Sequence, residues 1–269
     1  MYSGKSYGDF MNERFFSLVQ AFGFSLSEQQ LNQLLLFRDL VLETNKKMNL
    51  TAITDPDDFF VKHILDSMSI ALLPGISDSG IRVIDVGTGA GFPGVVLNIV
   101  YPSWNMVLFD SLQKRVSFLN DVINDLRLAD IIAVHGRAED YGKVLAYREQ
   151  FDLSVSRAVA NISTLSEYCL PFVKVDGRFI SYKSGGVDEE LEGGKSAIEK
   201  LGGSICEILR FDLTDPGTYH QSPEQIEKTG KVADPSRLIR CFIDIKKVSS
   251  TPSQYPRKAG IPAKRPICK

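Results

Sequence analysis

Two hydrophobic rhythms divide this chain. Up to about residue 75 the apolar positions recur every three or four residues, as on one face of a helix. Phe10, Phe15, Phe16, Leu18, Val19 and Phe22 mark a first helix over 9–22. Ser27 followed three residues later by Gln30 is a capping-box signature and opens a second, striped by Leu31, Leu34, Leu35, Val41 and Leu42 and ending near Asn45. Pro56 suits the first turn of a third helix, which the Pro74-Gly75 pair stops. From residue 81 short apolar runs alternate with amphipathic stretches. Strands are predicted at Ile81–Val86, Met106–Asp110, Ile131–His135, Leu153–Ser156, Arg178–Tyr182 and Ser204–Leu209, with a last one at Leu238–Lys246. Between them lie helices at Pro93–Val100, Leu112–Leu126, Ile162–Phe172 and Val187–Lys200.

Apolar strands alternating with amphipathic helices imply a mostly parallel sheet covered on both faces, a doubly wound α/β fold. The predicted organisation is a helical region over 1–75, a catalytic domain over 76–248 and a basic tail over 249–269. The stretch from Asp212 to Ser236 is rich in Pro, Gly, Gln and Thr and reads as a long loop. No apolar run approaches the length of a membrane span, and the start of the chain lacks the pattern of a secretion signal, so the expected compartment is the cytoplasm. Cys169, Cys206, Cys241 and Cys268 lie far apart, and with His63, His135 and His220 they form no metal-ligand spacing; neither a disulfide nor a metal site is expected. A net charge of −2 gives no general affinity for nucleic acid. Its distribution says more: every charged residue from Arg257 to Lys269 is basic, which suits either phosphate contact or a solvated, frayed end.

The candidate chemistry sits where the first strand ends. Asp85-Val86 runs into Gly87-Thr88-Gly89-Ala90-Gly91-Phe92-Pro93-Gly94, and helical residues follow. A tight turn from strand to helix aims backbone N–H groups and a positive helix end at a ligand. Gly89, Gly91 and Gly94 satisfy the dinucleotide fingerprint, with Asp110 about 20 residues on. Asp85 argues against a pyrophosphate, which it would repel; it suits the ammonium or sulfonium end of S-adenosylmethionine. The DxGxGxGxPG pattern looks like the first motif of class I methyltransferases. Asp110, closing the second strand, is placed to hold two ribose hydroxyls or to cap the next helix. Arg157 stands at the end of the fourth strand, where such sheets carry their chemistry, and its alternatives are a cofactor carboxylate, a phosphate or a surface ion pair. His63 and Asp66 share a helical face and read as a packed junction pair before an RNA contact. Lys46 and Lys47, with Arg157 and the tail, are candidate phosphate contacts.

Taken together, NKKMNLTAI (45–53), VKHILDSM (61–68), DVGTGAGFPG (85–94), FDSLQKRVSFL (109–119), GRAED (136–140), VSRAVA (155–160) and YPRKAGIPAKRPI (255–267) resemble the glucose-inhibited division protein B family. The resemblance spans nearly the whole chain. It implies a class I methyltransferase fold with an antiparallel last strand, S-adenosylmethionine as cofactor, and N7 of a guanine in 16S rRNA, or in the small ribosomal subunit, as acceptor. It carries cofactor contacts onto Gly87, Phe92, Ala138, Glu139 and Arg157, beside the Asp85, Gly89 and Asp110 read from the residues themselves. The 212–236 loop departs from it, being longer and more polar than the family leads one to expect. Guanine N7 bears an unprotonated lone pair, so no general base is required, and none stands near the glycines. The competing readings are a nicotinamide-dependent oxidoreductase and a non-catalytic RNA-binding protein that keeps the fold.

Overall fold

The computed structural model describes residues 13–77, 79–158, 160–215 and 237–267. Phe10, Cys268 and most of the 212–236 loop lie outside those residues.

Local chemistry sets the helical start. The first helix, α1 (Glu13–Ala21), is followed by α2 (Glu28–Asn45). Ser27 and Gln30 complete the reciprocal capping box, and Gln30 Nε2 also donates to the carbonyl of Ile99 at 2.9 Å, tying this helix to the helical segment Gly94–Val100 that covers the sheet. The third helix departs from its sequence pattern. It opens as α3 (Pro56–Phe59), capped by Asp55, widens into a π-helical turn over Phe60–Leu65, resumes as α4 (Asp66–Met68) and tightens over Ser69–Leu72. Apolar spacing does not encode such a widening. Its poorer backbone geometry is offset by what it positions: His63 and Asp66 both reach Arg157 across the core boundary.

Seven strands form one sheet: β1 (Arg82–Val86), β2 (Asn105–Asp110), β3 (Ile131–His135), β4 (Phe151–Ser156), β5 (Val173–Ser184), β6 (Gly203–Asp212) and β7 (Ile239–Lys247). Their order is β3-β2-β1-β4-β5-β7-β6, with β7 antiparallel to both neighbours. This is the predicted doubly wound sheet with an antiparallel last strand. Strand β5 is longer than the predicted Arg178–Tyr182, starting at Val173 and absorbing Asp176-Gly177. Asp176 takes a φ of +68°, and the register against β4 shifts between Phe151 and Leu153.

Helices α5 (Gly94–Val100) and α6 (Gln113–Asp125) cover one sheet face together with α1 and α2. Val83, Met106 and Leu108 join Leu34, Phe37, Phe59 and Ile64 in that core. The short α7 (Ala138–Tyr141), with α8 (Ile162–Cys169) and α9 (Asp188–Lys200), covers the other face, where Ile84, Val107 and Phe109 point. Near the end of the chain, α10 (Ile261–Lys264) packs against α8. The C-terminal segment is docked through Ile267, against the frayed-end reading. Arg148 donates to the carbonyls of Thr251 and Tyr255, Arg257 pairs with the buried Glu167, and Ser163 Oγ donates to the carbonyl of Ile267.

Candidate active site

The strand order reverses between β1 and β4, so a crevice opens at their C-terminal ends. The glycine turn fills one side of it. Gly87 N–H donates to the carbonyl of Phe109 at 2.8 Å, and Gly89 N–H to Asp110 Oδ2 at 3.0 Å. Gly94 N–H donates to Asp85 Oδ2 at 2.8 Å. Gly87 and Gly89 have φ of +77° and +62°, where side chains are strained, and a Cβ on either would meet nothing closer than 3.8 Å. Gly94 answers a different need: a Cβ there would lie 2.3 Å from Leu108 Cδ2. One glycine pair leaves the turn bare toward the crevice, while Gly94 lets α5 close on the sheet.

Asp85 is fully buried behind the turn, and burial pushes its carboxyl up to about 7. Thr88 lies near enough to favour the ionised form, yet neither Thr88 Oγ1 nor Asp85 Oδ1 completes a hydrogen bond among the described residues. Asp110 is also buried. Its Oδ1 accepts from Leu112 N–H at 2.8 Å and its Oδ2 from Gly89, so it both starts the turn into α6 and braces the glycines. Phe92 stacks on His63 with ring centroids 4.4 Å apart, and the Arg157 guanidinium carbon lies over the Phe92 ring, 4.9 Å from its centroid.

A second constellation adjoins the turn. Arg157 Nη1 donates to Asp66 Oδ2 at 2.7 Å, and Arg240 Nε to Asp66 Oδ1 at 2.7 Å. Arg157 Nη2 lies 3.1 Å from His63 Nδ1. A guanidinium only donates, so His63 Nδ1 accepts and its Nε2 carries the hydrogen toward Thr51 Oγ1 at 2.7 Å. Burial, then the neighbouring Arg157, lowers the His63 pKa to about 3, so the ring is neutral at physiological pH. Thr51 is held by Asn45, whose Oδ1 accepts from Leu50 and Thr51 N–H. His63, Asp66, Arg157 and Arg240 form part of the wall of a cavity of about 540 Å³ that also takes in Ala158, Lys183 and Glu190, while Thr51 and Asn45 stand behind His63. Ala158 is the nearest neighbour that a Cβ on Gly87 would meet, which sets this cavity beside the turn.

A family model described as rRNA small subunit methyltransferase G matches residues 30–213. A ribosomal RNA small subunit methyltransferase G of Lachnoclostridium phytofermentans is 45% identical over 95% of this chain and 97% of its own length. Another of that name, from Acetivibrio thermocellus, is 46% identical over 93% of each chain. The chain belongs to the ribosomal RNA small subunit methyltransferase G family. Among solved structures, a mutant of MtNAS, 15% identical, aligns over 87% of this chain and 82% of its own with a TM-score of 0.51, a likeness of fold. The fold is that of the class I methyltransferases, and S-adenosylmethionine is the cofactor.

In this methyltransferase the predicted site residues divide. Asp85, Gly87, Gly89 and Asp110 come together at the turn, and Phe92 links it to the Arg157 cluster. Arg157 is in neither a surface ion pair nor open solvent; its side chain is 18% exposed and held by Asp66 and His63. Ala138 and Glu139 are buried at the start of α7, and Glu139 Oε1 accepts from Gly260 N–H at 2.8 Å, bracing the C-terminal segment. His63 and Asp66 are the packed junction pair expected of them and line the cavity as well. Sequence reasoning missed Thr51, Lys183, Glu190 and Arg240. One signal was present: Lys183 ends an apolar run at the C-terminal edge of a central strand, the place where α/β sheets gather functional groups. The residues fit the cofactor: an orphaned carboxylate oxygen lies behind a turn whose two bare glycines face the crevice.

Proposed function

We propose that this methyltransferase transfers the methyl group of S-adenosylmethionine to N7 of a guanine in 16S rRNA in the cytoplasm. The observation that carries the reading is the adjacency of the bare glycine turn, backed by the unpartnered Asp85 Oδ1, to a cavity lined by more cations than anions. Lys62, Arg157, Lys183 and Arg240 stand there against Asp66 and Glu190, with His63 neutral. Such a lining suits an acceptor that brings a phosphodiester with it.

Bound S-adenosylmethionine supplies an electrophilic methyl group. Gly87 and Gly89 give the backbone room for it, Asp85 offers a carboxylate toward its cationic end, and Asp110 is the ribose ligand. Phe92, Ala138, Glu139 and Arg157 complete the binding set. N7 needs no proton removed, so the work of the site is alignment and exclusion of water. The His63–Arg157–Asp66–Arg240 network fixes the wall between the two subsites in one geometry. From the region 1–75, Lys62, His63 and Asp66 then join the acceptor wall, the described part of 76–248 forms the cofactor-binding core, and the described part of 249–269 a basic edge on which Lys258, Lys264 and Arg265 are exposed toward RNA phosphates.

Calorimetric titration tests the cofactor half of this reading against the nicotinamide alternative. S-adenosylhomocysteine should bind with a one-to-one stoichiometry, and NADH at the same concentrations should release no heat. Binding of NADH in its place would reject the assignment.

A further inference from the structure

The acceptor cavity has a wall that the reading above uses only for its charge. At the end of β5, Lys183 turns inward and is only 9% exposed. Its Nζ donates to the carbonyl of Ala160 and to Glu190 Oε1, both at 2.7 Å. The same Oε1 accepts the N–H of Ile162 at the first turn of α8. Glu190 is therefore fixed through one oxygen by two donors from different elements. Its Oε2 accepts nothing from the described residues, and the residue lines the cavity. The neighbouring Asp66 is spent, since both of its oxygens hold arginines. Glu190 is thus the one cavity-lining carboxylate among the described residues with an uncommitted oxygen. The volume, about 540 Å³, lies within the range of about 300–1,000 Å³ that holds small ligands, ample for a flipped base.

We propose that Glu190, anchored by Lys183, is the residue that selects guanine as the acceptor, its free Oε2 taking hydrogen bonds from the N1–H and 2-amino group of the base. This rests on the guanine-N7 reading and deepens it. Guanine presents two adjacent donors on its Watson–Crick edge, which one carboxylate oxygen with two lone pairs accepts together. Adenine presents an unprotonated N1 and no 2-amino group, so the same carboxylate repels it. In the reaction the N7–carbon bond forms as the carbon–sulfur bond breaks, the sulfur keeps the electron pair, and no proton moves. The purine becomes cationic, its N1–H becomes a stronger donor, and a fixed carboxylate there binds the transition state more tightly than the ground state.

The test uses small subunits reconstituted with 16S rRNA that carries either guanine or inosine at the accepting position. Inosine keeps N7 and N1–H and lacks the 2-amino group. Wild-type kcat/KM should fall on the order of tenfold or more with inosine, since a site built for a donor is left unpaired. Glu190→Gln keeps an acceptor for Ile162 and loses the charge. Its rate on guanine should drop by a similar order, and its guanine-to-inosine ratio should shrink toward one while its affinity for S-adenosylhomocysteine stays at the wild-type value. Equal wild-type rates on the two substrates, or an unchanged ratio in the variant, would overturn the proposal. The wild-type comparison stands alone should the variant prove unstable. A wild-type protein that binds S-adenosylhomocysteine yet methylates neither substrate would defeat the guanine-N7 reading, a different failure.

Discussion

The glycine turn and the ion-pair cluster beside it are built in opposite ways. The turn is local: ten consecutive residues, Asp85 to Gly94, carry its carboxylate, its bare backbone and the helix start. The cluster is assembled from α3–α4, the end of β4 and β7, with Asp66 bonded to Arg240 across 174 positions. A local device depends on backbone conformation at a few positions. A non-local one depends on the whole core holding its partners in place, so damage to it is felt first as lost stability. Mutations in the two regions should therefore separate binding from folding.

The largest effect belongs to the cluster. Asp66→Ala leaves two partly buried guanidiniums without their counter-charge, and removing one partner of a buried pair costs about 3–5 kcal/mol. Urea denaturation should show that loss; a loss below about 1 kcal/mol would mean that water takes over the role of Asp66. At the turn, Gly87→Asp forces a side chain into left-handed backbone, at about 1–3 kcal/mol, and places a further carboxyl group near Asp85. Affinity for S-adenosylhomocysteine should fall on the order of 100-fold while unfolding remains cooperative. If both affinity and cooperativity collapsed, the two regions would not be separable.

A smaller effect comes from pH. The folded His63 titrates near 3, below its value of about 6.5 in the unfolded chain. Below pH 6.5 the unfolded state takes up a proton that the folded state refuses. The His63 contribution is thus complete above 6.5 and declines as pH falls toward 3, by about 2–3 kcal/mol between pH 6.5 and 4.5. The same pH series on His63→Gln should lack that component; identical curves would place His63 outside the buried network. The smallest effect lies at the edge of the molecule. Replacing Lys258 and Lys264 with alanine should lower the slope of log affinity against log salt by about 1–2 and leave stability unchanged. An unaltered slope would remove this segment from the RNA interface.

This contrast also explains what could be read from sequence. The strands apart from β5, the capping box at Ser27 and the glycine turn follow from spacing within ten or so residues, and the structure has them close to where the pattern puts them. Asp110 was legible as either ligand or cap because strand-end carboxylates do both; here it accepts from Gly89 and Leu112 N–H in the turn, and α6 starts without a side-chain cap. The π-helical turn over Phe60–Leu65 was not legible, since the hydrophobic stripe continues through it unchanged. Glu139 lies in the acidic first turn of α7, and its bond to Gly260, 121 positions away, has no local signature. Lys183, Glu190 and Arg240 acquire meaning only once β5, α9 and β7 converge on one cavity.

The central claim is that the turn and its neighbouring cavity together deliver a methyl group to guanine N7. The direct measurement is mass spectrometric mapping of 16S rRNA after incubation of small subunits with the protein and S-adenosylmethionine carrying an isotopically labelled methyl group. A single labelled guanine, modified at N7 with the wild-type protein and absent with Gly87→Asp, is the predicted result. Label on a ribose oxygen or on another base position, or no label from a wild-type protein that binds S-adenosylhomocysteine, would contradict it.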